Sequence, residues 1–111
     1  MFYIRVSLMH ARPGKEQQVA VAMDDLVTFY MKQPGYIVGY KLGAADEVGD
    51  IGRITVWESE AAAEAAAQTN HVMSKRSELM PLIEAGSHGE RSFWAEEESK
   101  PLAKLLHKLG L

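Results

Sequence analysis

Cysteine is absent from this 111-residue chain, and its absence excludes disulfides, thiolate metal sites and cysteine nucleophiles. No apolar run approaches the roughly 18 residues that a membrane-spanning helix needs, so we expect no membrane partner. The segment after Met1 lacks the basic leader and long apolar stretch of a signal peptide, and we expect a cytoplasmic protein. Lysine and arginine (12) are fewer than aspartate and glutamate (15), which gives a net charge of −3. This balance argues against a nucleic-acid partner, because phosphates favour concentrated positive charge.

Sequence patterns that mark cofactor sites are also missing. The four histidines lie far apart, and none belongs to a His-Glu-x-x-His motif, so no metal site is predicted. The chain has no Gly-x-Gly-x-x-Gly and no phosphate loop, so a nucleotide cofactor has no evident binding loop. Gly86-Ser-His-Gly89 is interpreted as a turn that precedes a strand. We therefore expect neither a metal nor a cofactor.

The chain is 47% apolar and 24% charged, and its length is that of one ordinary soluble domain. A strand-then-helix unit occurs twice, once before Met31 and again where an apolar segment ending at Trp57 runs into an alanine–glutamate segment. Alternating apolar residues and the proline and glycine breakers between them predict strands over residues 2–9, 36–42, 51–57 and 91–96. Helices are predicted over 15–32 and from Ser59 onward, with a weak point at Thr69-Asn70 and a further helical piece over 78–84.

The order β-α-β-β-α-β predicts an α+β, ferredoxin-like sandwich with a four-stranded antiparallel sheet and both helices on one face. We assign this domain to residues 1–98. The tail, residues 99–111, has leucines at helical spacing and lysines on or beside the opposite face, which predicts an amphipathic helix. We expect the tail helix to dock on its own domain or on a second copy, and a membrane surface or a partner groove is the alternative.

The sheet face away from the helices is expected to be too apolar to face water. Strand one would present Tyr3 and Met9 there, strand three Trp57 or its neighbours, and strand four Phe93 or Trp94. The simplest cover for such a face is the same face of a second copy. The sequence therefore predicts a homodimer through the sheet faces.

Three segments resemble the antibiotic biosynthesis monooxygenase family: Ala11-Arg-Pro-Gly-Lys-Glu16, Pro34-Gly-Tyr-Ile-Val-Gly-Tyr-Lys-Leu42 and Ile54-Thr-Val-Trp-Glu-Ser-Glu-Ala-Ala62. The similarity covers roughly residues 2–97, and its motifs mark the fold more than the chemistry. It implies a dimeric α/β barrel, in which two ferredoxin-like sheets pack face to face. The family includes cofactor-independent oxygenases of quinol-like or polyketide aromatics, haem-degrading oxygenases, and members without known activity.

The haem-degrading branch of that family uses an asparagine on strand one, a tryptophan in helix two and an iron-ligating histidine farther on. Ser7, Ala66 and Arg76 hold the matching places here. An arginine cannot ligate iron, because it stays protonated and has no free lone pair. His71 lies about five residues before Arg76, on another side of a helix. Haem degradation is therefore disfavoured.

His71 is the predicted catalytic residue. The family's pockets lie between helices and sheet, and an imidazole there could remove a phenolic proton to give an anion that reacts directly with oxygen. The competing interpretation is a surface or helix-capping histidine.

Seven further residues are candidates for binding the substrate. Ser7 and Asn70 could orient a carbonyl or hydroxyl, although a small filler and a helix-interrupting residue are the competing interpretations. Arg5 could meet an anionic substrate group, but a carboxylate on a neighbouring strand or helix is the partner we favour. Four aromatic residues could line a pocket or simply form core: Phe29, Tyr40, Trp57 and Trp94.

Two functions remain open from the sequence. The first is a homodimeric, cofactor-independent monooxygenase acting on a small planar phenolic or quinol-like molecule. The second is a non-catalytic homodimer that binds a small aromatic or apolar molecule or serves in assembly. The sequence does not identify the substrate.

Overall fold

The computed structural model describes residues 1–45, 50–96 and 107–110. The predicted tail helix lies outside these residues apart from 107–110, as does most of the loop between strands two and three. Within the described part, no helix is long and apolar enough to cross a membrane. The strands are β1 (Phe2–His10), β2 (Tyr36–Gly43), β3 (Asp50–Trp57) and β4 (Gly89–Ala95), and the helices are α1 (Glu16–Tyr30), α2 (Glu60–Ala67) and α3 (Asn70–Leu79).

The strands form one antiparallel sheet in the order β2-β3-β1-β4. The helices cover one face of this sheet, and the core lies between the two layers. Trp57 sits in that core with its ring edge-on to Tyr30 and Tyr36, at centroid distances of 5.7 and 5.6 Å. The predicted ferredoxin-like sandwich is confirmed.

The prediction of which side chains face away from the helices was wrong for β1 and β3. Tyr3, Met9 and Trp57 are buried under the helices, and Trp94 lies on the same side, 5.0 Å from the Tyr3 ring. Only Phe93 is on the predicted side, since it pairs with Ile4. Both alternating sets of β1 contain apolar residues, so alternation alone did not identify the core side.

The other sheet face is uncovered in a single chain, and we call it the open face. Its members follow from the register, in which Ile4 pairs with Val56 and Val6 with Ile54. Several of its large apolar side chains are exposed, Leu8 and Tyr40 by more than half. The open face comprises Phe2, Ile4, Val6, Leu8, Val38, Tyr40, Leu42, Ile54, Val56, Arg91 and Phe93.

The helical region after β3 differs from the prediction. Ser59 caps α2 as predicted, with its hydroxyl accepting from the Ala62 N–H. The predicted weak point is real, but α3 begins there, capped by Thr69, rather than near Glu78. Beyond Leu79 the chain forms a 3-10 turn, since Pro81 has no N–H to continue an α-helix. Residues 70–79 therefore form a third helix, which lies against α1.

Candidate active site

His71 lies between two helices rather than against the sheet. It sits in the first turn of α3, and its Nε2 is 2.6 Å from Asp25 Oδ2 on α1. Its ring stacks on Phe29 at 4.2 Å, with only 6° between the planes. The side chain is 39% exposed. This placement joins α1 to α3 at the surface, as the competing structural interpretation expects.

The four predicted pocket aromatics are not brought together. Phe29 stacks on His71 at the surface, and Trp57 is 1% exposed in the core, with its indole N–H donating to Thr55. Tyr40 belongs to the open face, and Trp94 lies on edge strand β4 on the helix side. These aromatics form no common pocket. Asn70 is the first residue of α3, beside the Thr69 cap.

Ser7 and His88 form a part-buried polar pair that joins β1 to the residue before β4. Ser7 is fully buried on β1, and its Oγ is 3.0 Å from His88 Nε2. His88 stands immediately before β4, where its backbone enters the sheet beside β1. Residues 86–89 were interpreted only as a turn before a strand. That interpretation was incomplete, because this turn also places the His88 imidazole on the helix side of the sheet.

His88 lines a small cavity between α3 and the sheet, which we call the α3 cavity, and Ser7 contacts His88 from β1. The cavity volume of about 20 Å³ is enough for one water molecule. Arg53 enters it from β3 and Arg76 from α3. The full lining is Met9, Arg53, Arg76, Leu79, Met80, Ile83 and His88.

The surroundings of His88 disfavour its protonated form. Burial lowers the pKa of His88, the charges of Arg76 and Arg53 lower it further, and Glu90 opposes them in part. The imidazole is therefore neutral at pH 7 and has a nitrogen able to accept a proton. Which nitrogen carries the hydrogen decides whether Ser7 donates or accepts in their shared bond.

Arg5 has the carboxylate partner that the sequence led us to favour. Its guanidinium donates to Glu64 on α2 and, at 2.9 Å, to the Tyr3 hydroxyl, and its Nε is 3.6 Å from Glu90 on β4. Burial works to lower the pKa of Arg5, but the bonds to Glu64 and Tyr3 and the Glu90 charge together raise it. Arg5 is therefore permanently charged, and its ion pairs with Glu64 and Glu90 link β1 to α2 and β4.

His88 and Arg53 are the residues that sequence reasoning missed. An arginine in the middle of the apolar segment 51–57 was a usable signal, because a charge inside a buried strand requires a reason. The position of His88 directly before an edge strand was a weaker signal. Among the described residues, no cluster of three or more histidine, aspartate or glutamate side chains is placed to hold a metal ion.

No family model matches the sequence, and no curated protein matches it. Solved structures do match the fold. SnoaB from Streptomyces nogalater, described as a cofactor-independent oxygenase, superposes with a TM-score of 0.76 at 18% identity, over 90% of this chain and 97% of SnoaB.

Two proposed antibiotic biosynthesis monooxygenases have the same fold. The protein from Nitrosomonas europaea gives a TM-score of 0.81 at 14% identity, over 88% of this chain and 93% of its own. The protein from Caulobacter crescentus gives 0.78 at 18% identity, over 86% and 91%. The chain therefore has the fold of the antibiotic biosynthesis monooxygenases, as the sequence resemblance implied.

Proposed function

We propose that this protein is a cofactor-independent monooxygenase acting on a small planar phenolic or quinol-like compound. The observation that carries the proposal is the part-buried Ser7–His88 pair at the edge of the α3 cavity, with the imidazole held neutral. The fold shared with SnoaB, a cofactor-independent oxygenase, supports it. A fold hosts many functions, so the argument depends on the site.

In this proposal His88 is the general base. It takes the proton of a substrate hydroxyl, and Ser7 orients the imidazole through the bond to Nε2. The resulting oxyanion makes the ring electron-rich.

The electrons and atoms of the reaction balance without a cofactor. The ring anion of a quinol gives electrons to O₂, a carbon–oxygen bond forms at a ring carbon, and the O–O bond breaks. One oxygen atom remains in the hydroxyquinone product and the other leaves as water. The quinol supplies all four electrons, so no external reductant is needed.

The size of the α3 cavity limits how a substrate binds. A volume of about 20 Å³ admits a water-sized group but not an aromatic ring. The ring would therefore lie at the mouth, against Met80, since Leu79 is buried. Met80 is more than half exposed, and its unbranched side chain can adapt to a flat ligand.

The geometry favours His88 over His71 as the base. His71 is engaged with Asp25 and Phe29 at the outer surface and does not line the α3 cavity. Its catalytic role stays a prediction, and the two histidines can be compared directly because they differ in this respect.

The test is oxygenation of 1,4-naphthohydroquinone under ¹⁸O₂ by the wild type, by His88→Gln and by His71→Gln. The wild type should place one labelled atom in 2-hydroxynaphthoquinone and the other in water. His88→Gln should lower the rate by roughly 10²-fold or more, and His71→Gln should leave it nearly unchanged.

Uncatalysed oxidation to the quinone and peroxide puts no label in the organic product. A wild type without incorporation rules out the activity, and loss only in His71→Gln transfers the base to His71.

A second candidate function is a non-catalytic homodimer that binds a small aromatic molecule or serves in assembly. The open face favours association, and the small volume of the α3 cavity is compatible with binding without turnover. Saturable binding of the quinol without oxygen consumption would favour this alternative.

We also propose that two copies associate through the open face. This face exposes apolar side chains on β1, β2 and β4, among them Leu8, Val38, Tyr40 and Phe93. Contiguous apolar surface of this kind on a soluble domain marks an interaction site. In a two-fold symmetric dimer the same surface of each copy forms the interface, so the open face of one copy would cover the open face of the other.

A further inference from the structure

Arg53 is a buried cation without a carboxylate partner among the described residues. It is 4% exposed on β3, between α1 and the sheet. Its contacts are a weak hydrogen bond from Nη1 to Met23 Sδ at 3.6 Å and the face of the Tyr30 ring at 5.4 Å. A guanidinium has five N–H donors, and most of those of Arg53 meet no protein acceptor. No fully buried side-chain nitrogen among the described residues lacks a hydrogen-bond partner, so these donors are accessible, and Arg53 lines the α3 cavity.

Such an arrangement is costly for a purely structural residue. Burying a guanidinium without a counter-charge disfavours folding, and neither a thioether nor a ring face replaces a carboxylate. The Tyr30 ring supplies a cation–π contact that offsets only part of this cost. Removing the charge while keeping the volume would be neutral or stabilising on these grounds. A buried Arg53 that lines a cavity and has no carboxylate partner among the described residues therefore points to a ligand.

The charges around the α3 cavity leave one positive charge uncompensated. Arg5 is paired with Glu64 and Glu90, and Arg76 approaches Glu90 at 3.9 Å. Three guanidiniums including Arg53 thus face two carboxylates, and His88 is neutral. A ligand with a single negative charge restores the balance, whereas a dianion such as phosphate exceeds it.

The volume of the α3 cavity limits the size and shape of an anion that can enter it. A space for one water admits one oxygen atom of a flat group, whose second oxygen can remain at the mouth beside Arg76. Arg76 is partly exposed there, at 42% of its side chain. A carboxylate meets this requirement and pairs well with a guanidinium, whereas a tetrahedral phosphate is larger.

We infer that the α3 cavity binds the carboxylate of an aromatic acid, with Arg53 as the inner contact and Arg76 as the outer one. The inference deepens the proposed function, on which its catalytic meaning rests: the substrate is then a phenolic acid whose hydroxyl reaches His88 at the mouth. The binding itself requires no turnover.

The test is isothermal titration of the full chain with sodium benzoate, benzamide and inorganic phosphate at constant ionic strength. Benzoate should bind saturably and at least about tenfold more tightly than the neutral isostere benzamide, because a charge-assisted pair is lost in the latter. Phosphate should bind more weakly than benzoate. Equal affinity for benzoate and benzamide, or tighter binding of phosphate, overturns the inference.

Two variants assign the site. Arg53→Met should weaken benzoate binding at least about tenfold while leaving the urea midpoint unchanged or higher. Lys41→Met is the matched control, since Lys41 pairs with Arg53 in the sheet register but is bridged to Asp24 at 2.7 Å and lies away from the cavity. It should bind benzoate like the wild type. Undiminished binding by Arg53→Met, with the fold confirmed by circular dichroism, overturns the assignment.

The two proposals fail separately. Absence of benzoate binding with His88-dependent oxygenation of the neutral quinol refutes the carboxylate site alone. Benzoate binding that requires Arg53, in a protein that incorporates no label, supports the site and refutes the monooxygenase.

Discussion

His88 combines a partly buried imidazole with two neighbouring guanidiniums, and this environment has a consequence for folding. Its pKa in the folded chain is lower than in the unfolded chain, where it is about 6.5. As the pH falls below that value, the unfolded chain binds a proton before the folded chain does. The free energy of unfolding therefore falls as the solution is acidified.

We predict that His88→Gln reduces this dependence on pH. Urea denaturation between about pH 7.5 and pH 5.5 should show a shallower loss of stability in the variant than in the wild type. Parallel pH dependences in the two proteins would mean that His88 titrates as it does in an unfolded chain.

Arg5 supports the same region through a different kind of contact. Its side chain is largely buried and ties β1 to Glu64 on α2. We predict that Glu64→Ala lowers the free energy of unfolding by about 1 kcal/mol, a modest value because Glu64 is half exposed. The double variant with Arg5→Met should lose less than the two single variants combined, since both remove the same pair. Strict additivity in urea denaturation would show that the pair contributes nothing.

The bounds and directions of the helices depend on their capping residues as much as on their apolar faces. Thr69 accepts from the Val72 N–H and donates to the Ala66 carbonyl at 2.8 Å, so one side chain ends α2 and begins α3. This break turns α3 toward α1 and places Arg76 over the sheet beside His88. The α3 cavity therefore exists because residues 60–79 are not one continuous helix.

The turn before β2 provides a test of how closely α2 packs. Gly35 and Gly14 have nearly the same left-handed backbone, with φ of +84° and +83°. A Cβ on Gly35 would lie 2.5 Å from the Ala62 Cβ, whereas one on Gly14 would meet nothing within 4 Å.

Alanine substitution at both glycines separates backbone strain from steric clash. Gly14→Ala should cost about 1 kcal/mol from the left-handed backbone alone. Gly35→Ala should cost a further 1–3 kcal/mol, roughly, from overpacking against α2. Chemical denaturation measures both, and equal losses would contradict the close approach of the turn to α2.

At the scale of the whole molecule, the open face is the surface through which we propose that two copies associate. We predict that the wild type sediments at the mass of two chains at micromolar concentration, because association removes apolar side chains from water. Val6→Lys, in the middle of β1 between Ile54 and Arg91, should produce monomers by placing a charge in the interface.

The control for this experiment is Val21→Lys, which places the same charge on an exposed valine of α1, on the helix side. It should leave the dimer intact. A wild type that sediments as a single chain, or dissociation of both variants alike, would remove the open face as the interface.

The order of strands and helices could be predicted because it depends on local chemistry. Period-two alternation, proline–glycine breakers and the Ser59 cap act over a few residues, and the structure follows them closely. The extent of α3 could not be predicted in the same way. Its sequence has little amphipathic pattern, and its stability comes from Val72 and Leu79 packing into a core that other elements build.

The sequence by itself determined the ferredoxin-like order of elements and the strand periodicity. Only the tertiary structure decided which face of β1 is core and which histidine lies at a cavity. Ser7 and His88 are 81 positions apart and meet because β4 pairs with β1. The burial of Arg53 depends on α1 lying above it. Interactions between residues distant in sequence fix these features, because burial and charge are properties of the packed surroundings rather than of the residue type.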